Sequence, residues 1–168
     1  MIESNLLNFK QLNPWADKLI AELDSPPAWI CDVSITKYQP DVAKIVRGYV
    51  YELEIVERPY DLEKFHVGCL WLRYMRREIS WATLLRFIGN HLDAADGGWA
   101  CEIPYEFLNI FEDGGYSVEL EAQTREIYLS KVDVKKHIII ARTNYFSYVK
   151  QKSTQQGDAP ERFAPGDL

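Results

Sequence analysis

Apolar residues recur every three or four positions along most of the chain, the spacing that places them on one face of an α-helix. The pattern is clearest in two neighbouring segments, residues 61–77 and 80–95. Each opens on a residue that commonly caps a helix, Asp61 or Ser80. The apolar positions are Leu62, Phe65, Cys69 and Leu72 in the first segment and Trp81, Leu84, Leu85, Ile88 and Leu92 in the second. Because few residues separate the segments, we predict that they form an antiparallel helical hairpin.

Proline, glycine and capping residues predict the bounds of the other helices. Proline is favoured in the first turn of a helix, and glycine just after its last residue. Helix starts are predicted after Ser4 and at Asn13-Pro14, Pro27, Gln39-Pro40 and Pro104, and the helix from Pro104 is predicted to end at Gly114-Gly115.

Two segments fit either a helix or a strand, residues 50–56 and residues 126–132. We favour a helix for the first because the residues before it fit only the helical period. We favour a helix for the second because the apolar positions around it, from Leu120 to Tyr145, recur at separations of three, four and seven, with a break expected near Asp133. The predicted fold is therefore mainly α, an irregular multi-helix bundle with antiparallel helical hairpins.

Length and composition predict one helical domain followed by a tail. The chain has 168 residues, of which 47% are hydrophobic, so it can bury the core of one ordinary domain. Residues 151–168 are polar, contain proline and glycine, and lack apolar periodicity. We therefore predict a single domain over residues 1–150 and a flexible C-terminal tail over residues 151–168.

Charge and cysteine content narrow the classes of function. The formal net charge is −6, with 25 Asp and Glu residues against 19 Lys and Arg. This balance disfavours nucleic-acid binding, because phosphate contacts need a basic face. A local basic group, Arg73, Arg76 and Arg77, is followed by Glu78 and is typical of a solvated helix face. Three widely spaced cysteines form no CxxC metal knuckle and are predicted to be buried free thiols.

The sequence also indicates where the protein acts. No secretion signal is visible at the N-terminus. No apolar run approaches the ~20 residues that a transmembrane helix needs. We therefore expect a cytoplasmic protein that does not bind membranes.

Motifs that carry catalysis or hold a metal are few. The chain contains no GxSxG turn and no glycine-rich phosphate loop. Glu63 and His66 have the ExxH spacing of di-iron bundles, but such sites need two of these units and two further glutamates. His91 and His137 stand alone in the sequence. We therefore predict neither an enzyme nor a metal or cofactor site, and an ordinary helix surface at Glu63 and His66.

An acidic and aromatic stretch follows the predicted hairpin. Its residues are Asp93, Asp96, Trp99, Glu102, Tyr105, Glu106, Glu112, Asp113 and Tyr116. The spacing of the carboxylates does not match the alternating ligand ladder of a calcium loop. The stretch is typical of solvated helix ends. It also fits a protein-interaction surface, where aromatic side chains anchor a partner and carboxylates steer a basic one.

The predicted hairpin and the residues after it carry a resemblance to a known family. The run DLEKFHVGCLWLRYMRREISWATLL (residues 61–85), with Cys101-Glu102 and the segment Pro104–Gly115, is similar to a family of small uncharacterised bacterial proteins grouped with the immunity proteins of polymorphic-toxin systems. The similarity covers residues 25–145 and is densest over residues 61–115. The resemblance implies a protein that binds a toxin domain, and it carries over no catalytic or binding residue.

Two functions of different class agree with these observations. The first is an immunity-type protein that binds and neutralises a cognate bacterial toxin domain, with the acidic and aromatic stretch as the predicted contact. The second is a helical enzyme or small-ligand-binding protein whose site is assembled from scattered residues such as Glu63, His66, Arg73 and Glu102. A deep polar pocket with converging titratable groups would favour the second function, and an exposed acidic and aromatic surface would favour the first.

Overall fold

Helices form the regular secondary structure wherever the chain is described. The computed structural model describes residues 1–53, 61–94, 101–131 and 134–156, with the backbone alone at residues 130, 131 and 150–156. Within those residues it contains α-helices, one π-helical turn and no β-strand. The prediction of a mainly α fold is therefore confirmed. The chain divides into two compact units, Met1–Pro59 and Tyr60–Leu168.

The first unit contains three helices in its described part, α1 (Phe9–Glu22), α2 (Ala28–Ile35) and α3 (Gln39–Glu52). α2 packs against both α1 and α3. The buried apolar side chains of this unit include Leu12, Ala16, Ile30, Val33 and Val42. The Gln39 side chain ties the start of α3 to the start of α1, because it accepts the Phe9 N–H and donates to the carbonyls of Ile2 and Leu7.

The first helix does not begin where the sequence predicts. Asn8 caps α1 and forms a reciprocal capping box with Gln11, in which each side chain accepts a backbone N–H at the helix start. Pro14, predicted to start a helix, therefore lies inside α1. The Asn13 side chain is not a cap and donates instead to the carbonyl of Thr36 at 3.0 Å.

The second unit is built on the predicted antiparallel hairpin. Its helices are α4 (Leu62–Met75), α5 (Trp81–Ala94), α6 (Glu102–Gly114), α7 (Val118–Glu126) and α8 (Lys135–Gln156), with the π-helical turn Ile127–Lys131 between α7 and α8. α4 and α5 pack against each other, α6 packs along α5, and α8 packs along α4. The predicted caps Asp61 and Ser80 are confirmed, since Asp61 accepts the backbone N–H groups of Glu63 and Lys64 and Ser80 accepts that of Thr83.

The predicted inner faces of the hairpin are buried. The buried positions are Phe65, Cys69, Leu72, Trp81, Leu84, Leu85, Ile88 and Leu92. Leu62, predicted on the same face, is exposed at the first residue of α4. Gly68 allows α4 to approach α8 closely, because a Cβ at this position would lie 2.8 Å from the backbone carbonyl carbon of His137. Side chains that follow α6 complete the core: Leu120, Tyr128, Val134 and Ile138.

In the basic group at the end of α4, Arg73 and Arg76 are shielded from solvent, whereas Arg77 is exposed as expected for a solvated face. Arg77 adopts the left-handed conformation with φ 60°. The N–H groups of Arg77 and Glu78 donate to the carbonyls of Tyr74 and Arg73, a Schellman motif with arginine where glycine is usual. Arg73 and Arg76 both pair with Glu78, at 3.3 and 2.9 Å, and little of either arginine side chain is exposed. The backbone bonds of Arg77 and Glu78 therefore end the helix, and the ion pairs with Glu78 hold the Arg73 and Arg76 side chains at this end.

The structure decides part of what the sequence left open. Residues 50–52 belong to α3, and residues 126–131 belong to α7 and the π-helical turn, so the preference for helix is confirmed over these residues. It is wrong at Leu53, which is the extended C-cap of α3. α8 continues to Gln156, six residues into the segment predicted as a tail. The remaining parts of these predictions fall outside the described residues, at 54–56, 132–133 and 157–168. The single domain and the flexible tail stay predictions.

Candidate protein-interaction surface

The outward face of α6 presents an exposed row of carboxylates. Glu102, Glu106 and Asp113 are spaced four and seven residues apart, so they lie along one face of the helix. All three are exposed, and Ile110 between them keeps 53% of its surface accessible. Phe107 is buried on the other side of the helix. Three residues of the predicted contact region therefore share one exposed surface.

Three other predicted contact residues are described, on α5 and α6, and among the described residues nothing joins them to this row except the helix that Tyr105 and Glu112 share with it. Asp93 is exposed in the last turn of α5, and Glu112 is exposed on α6. Tyr105 is half-buried, with its ring over Gly89 of α5 and its hydroxyl donating to the Asn90 side chain at 3.3 Å. Two more predicted residues, Asp96 and Trp99, lie outside the described residues.

The acidic excess of the protein is concentrated around α6. From Phe87 to Thr124 the sequence contains eight Asp and Glu residues and no Lys or Arg. The chain as a whole has 25 acidic and 19 basic residues, so removing these eight leaves 17 acidic and 19 basic, a net charge of +2. A local excess of one sign produces a field that attracts a partner of the opposite charge. The stretch that contains α6 therefore differs in charge from the rest of the chain.

Tyr116 lies in the short connection between α6 and α7, where helix caps hold the backbone on both sides. Gly115 follows α6 with φ 77° and ψ −178°, a conformation that is essentially restricted to glycine. Its N–H donates to the carbonyl of Phe111 at 2.8 Å. Ser117 caps α7 by accepting the N–H of Leu120 at 3.0 Å. The backbone at Tyr116 is therefore fixed by the two helix ends beside it.

Two contacts orient the Tyr116 side chain. Its hydroxyl donates to one carboxylate oxygen of Glu121, and the hydroxyl of Tyr74 from α4 donates to the other. Its ring packs edge-on against Trp81 of α5, with the ring centroids 6.1 Å apart, and Phe111 meets Trp81 in the same way at 5.7 Å. Tyr116 nevertheless keeps 54% of its surface accessible. It is an exposed aromatic residue that is held in one orientation.

The shared carboxylate changes the acid–base properties of all three side chains. Partial burial raises the pKa of Glu121, but the hydrogen bonds from Tyr116 and Tyr74 and the nearby Arg125 outweigh this effect and lower it overall. Burial, followed by the hydrogen bond to Glu121, raises the pKa of Tyr74. The hydrogen bond to Glu121 is the main cause that raises the pKa of Tyr116. At neutral pH the cluster is therefore a carboxylate with two neutral phenol donors.

Tyr74, Trp81 and Glu121 are contributors that sequence reasoning missed. They come from three different helices, and only the packing of these helices places them around Tyr116. One signal was available in the sequence. Ser117 followed by acidic residues in the next turn is typical of a helix start, and a helix that starts there returns Glu121 to the side of Tyr116.

Two histidines that appear unrelated in the sequence lie face to face. The rings of His66 on α4 and His91 on α5 stack with their centroids 3.7 Å apart and their planes within 8°. Burial, followed by the proximity of His91, lowers the pKa of His66 to about 3, so this imidazole is neutral at physiological pH. Nitrogen lone pairs lie in the ring plane, so stacked imidazoles do not direct them at an ion between the rings. The pair is therefore a packing contact of the hairpin.

The residues considered for an enzyme or ligand site take part in separate contacts. Arg73 pairs with Glu78 at 3.3 Å, and His66 stacks on His91. Glu102 lies exposed on α6. Across the described ranges, no group of three or more His, Cys, Asp and Glu side chains is arranged to hold a metal ion.

Comparison with known proteins assigns the chain to no family and to no known fold. No protein-family profile matches the sequence, and no significant match is found among curated proteins or solved structures. The resemblance to immunity proteins therefore stays a hypothesis. In the part of the chain that the structure describes, no helix is both long and apolar enough to cross a membrane.

Replacing Gly115 with alanine is expected to destabilise the fold and to release Tyr116. A side chain at φ 77° and ψ −178° is strained, and strain of this kind lowers the free energy of unfolding by about 1–3 kcal/mol. Gly114→Ala is the matched control, because an added Cβ there meets no atom within 4 Å, and it is expected to stabilise the helix by up to about 1 kcal/mol. Chemical denaturation measures both changes. Equal stability of the two variants would contradict the conformation assigned to Gly115.

Proposed function

We propose that this chain is an immunity-type protein that binds one cognate bacterial toxin domain in the cytoplasm and neutralises it without turning over a substrate. The contact is the exposed face of α6 with the connection to α7, defined by Glu102, Glu106, Asp113 and Tyr116, which we call the acidic surface. The observation that carries the proposal is that three carboxylates share one exposed helix face, within a stretch that has no Lys or Arg.

Binding to a basic protein suits a surface of this composition. A toxin that acts on nucleic acid needs basic side chains to contact phosphates. Carboxylates on the immunity protein present the complementary charge to that site and speed the encounter. An aromatic residue such as Tyr116 supplies the type of side chain that carries much of the energy in protein interfaces. A protein that covers such a site stops the toxin by occlusion and needs no catalytic group of its own.

The decisive test is co-expression with a candidate toxin domain, to be sought in the genes beside this one. Bacteria that produce the toxin domain alone are expected to stop growing, and bacteria that also produce this protein are expected to grow. Purified complexes with an inactive toxin variant then give the binding rates. Growth arrest that is as rapid with this protein as without it would end the proposal.

Charge reversal on the acidic surface is expected to weaken binding while leaving the fold intact. The triple variant Glu102→Lys, Glu106→Lys and Asp113→Lys changes exposed residues and shifts the formal net charge from −6 to 0. Loss of electrostatic steering should slow association by about tenfold or more at low salt. Raising the salt concentration should slow association of the unmodified protein and have little effect on the variant.

A matched control separates the acidic surface from net charge alone. The triple variant Asp17→Lys, Asp24→Lys and Asp32→Lys makes the same change in net charge at exposed positions of the first unit. This variant is expected to keep most of the association rate. If the two triple variants lose the same amount of binding, the acidic surface is not the contact.

A further inference from the structure

Apolar side chains are exposed among the carboxylates at the C-terminal end of α6. Ile110 and Tyr116 each keep about half of their surface accessible, at 53% and 54%, and Val118 keeps 69%. The three residues fall within nine positions of the chain, on the last turns of α6, the connection and the first residue of α7. Exposed apolar side chains rimmed by charged residues are typical of the centre of a protein interface.

Tyr116 is already held in the orientation that a partner would meet. Its hydroxyl is bonded to Glu121, its ring rests on Trp81, and its backbone lies between the caps at Gly115 and Ser117. Ordering a mobile side chain on binding costs free energy, and a side chain that is ordered beforehand avoids this cost. A half-exposed ring with these restraints is therefore suited to act as a fixed anchor.

We propose that Ile110, Tyr116 and Val118 form the apolar centre of the acidic surface. We further propose that its ligand is a protein segment in which apolar side chains are flanked by arginine or lysine. The inference rests on the proposed function and adds the chemistry of the partner and the residues that select it. The carboxylates provide attraction and orientation, and the apolar centre provides the discrimination between one basic partner and another.

Charge complementarity determines the kind of segment that fits. Glu112, Asp113 and Glu119 lie next to the apolar centre in the chain, and Glu119 is close enough to act electrostatically on the Tyr116 hydroxyl. No Lys or Arg occurs from Phe87 to Thr124, and the next residue, Arg125, lies near Glu121, whose carboxylate it partly neutralises. An anionic ligand such as a nucleic acid or an acidic lipid would meet repulsion here. A purely basic segment would leave Ile110 and Val118 exposed to water, whereas a basic segment with apolar residues would bury them.

Two synthetic peptides of equal charge test this inference without the toxin. The probes are acetyl-Arg-Arg-Leu-Leu-Arg-Arg-amide and acetyl-Arg-Arg-Ser-Ser-Arg-Arg-amide, titrated into the isotope-labelled full chain and followed by nuclear magnetic resonance. The leucine peptide is expected to bind about tenfold more tightly, since burying one leucine is sufficient for a change of that size. Its largest chemical-shift changes are expected at Ile110, Tyr116 and Val118. Equal affinity of the two peptides would overturn the inference.

Variants test whether the apolar centre is the reason that the leucine peptide binds more tightly than the serine peptide. Tyr116→Ala and Val118→Ser are expected to bring the affinity for the leucine peptide down towards that for the serine peptide, and Val118 is so exposed that its replacement leaves the core untouched. Tyr74→Phe is the matched control, because it removes the other hydroxyl from Glu121 and leaves the bond from Tyr116 in place. Retained discrimination in both Tyr116→Ala and Val118→Ser would contradict the proposal.

The outcomes also separate this inference from the proposed function. Full neutralisation of the toxin by Tyr116→Ala, together with unchanged toxin affinity, would overturn the apolar centre and leave the immunity function standing. Failure of the unmodified protein to neutralise the toxin, with discrimination between the peptides intact, would end the immunity function. It would leave a surface that binds basic and apolar segments of another protein.

Discussion

The free energy of unfolding is expected to fall on acidification before the carboxylates become protonated. His66 has a pKa of about 3 in the folded protein, against an ordinary value of 6.5. Between these values the unfolded chain binds a proton that the folded protein does not, so stability decreases as the pH falls. Well inside this interval the loss approaches about 1.4 kcal/mol per pH unit. Below about pH 3 no further loss arises from His66.

The variant His66→Phe isolates this effect. It keeps an aromatic ring against His91 and removes the titrating group, so its stability should change little between pH 6.5 and pH 5, where the unmodified protein loses about 2 kcal/mol. Glu121→Gln is the second control. The lowered pKa of Glu121 gives stability that is present above its ordinary value of 4.5 and is lost only as the pH falls below it. Urea denaturation at a series of pH values measures the free energy of unfolding of the unmodified protein, His66→Phe and Glu121→Gln.

A flat profile for the unmodified protein between neutral pH and pH 5 would contradict the buried and neutral state of His66. An equal loss of stability in His66→Phe and in the unmodified protein over this pH range would also contradict that state of His66. A loss confined to lower pH and abolished by Glu121→Gln would assign the acid sensitivity to the carboxylate alone.

Replacing Gly68 with alanine is expected to destabilise the second unit strongly. An added Cβ would lie 2.8 Å from the carbonyl carbon of His137 and 2.9 Å from the backbone nitrogen of Ile138. Both atoms belong to the backbone of a helix, so no side-chain rotation can relieve the overlap, and α4 and α8 have to separate. Overpacking of a core typically lowers the free energy of unfolding by about 1–3 kcal/mol, and we expect this change at or above the upper end of that range.

Two other glycines of the same unit provide a graded comparison for chemical denaturation. A Cβ at Gly89 would lie 2.8 Å from the ring of Tyr105, a side chain that can turn away at the loss of its bond to Asn90, so a smaller decrease is expected. Gly114→Ala meets no atom and is expected to be neutral or stabilising. If Gly68→Ala is as stable as Gly114→Ala, α4 and α8 are not in the close contact described.

Only part of the acidic surface could be predicted from the sequence. Glu106 and Asp113 lie in the helix predicted from Pro104, seven residues apart and so close to whole helical turns. Glu102 shares their face because α6 begins at Glu102, two residues earlier than predicted. Sequence reasoning included Tyr116 for its chemistry but omitted Ile110 and Val118. Apolar residues in a helix are expected to be buried, and their exposure depends on which neighbours cover the helix.

The start of α1 was predicted at Asn13-Pro14 instead of after Asn8 because the local sequence allows both starts. Asn13-Pro14 and Asn8 are both acceptable helix starts by their side chains. The reciprocal bonds between Asn8 and Gln11 favour the earlier start. The Asn13 side chain donates to the carbonyl of Thr36 instead, a partner that lies 23 residues away.

The sequence by itself determined that this protein is mainly helical, that Asp61 and Ser80 start the two helices of a hairpin, and that one apolar face of each of these helices, apart from Leu62, is buried. These features depend on bonds and spacings within a few residues, so a short stretch of sequence contains all the partners. Only the tertiary structure decided that His66 stacks on His91, that Gly68 meets the backbone at His137, and that Tyr74 and Tyr116 share Glu121. These contacts join different elements, 47 residues apart in the case of Tyr74 and Glu121. They depend on how the helices cross and rotate, which follows from the packing of the whole core rather than from any local pattern.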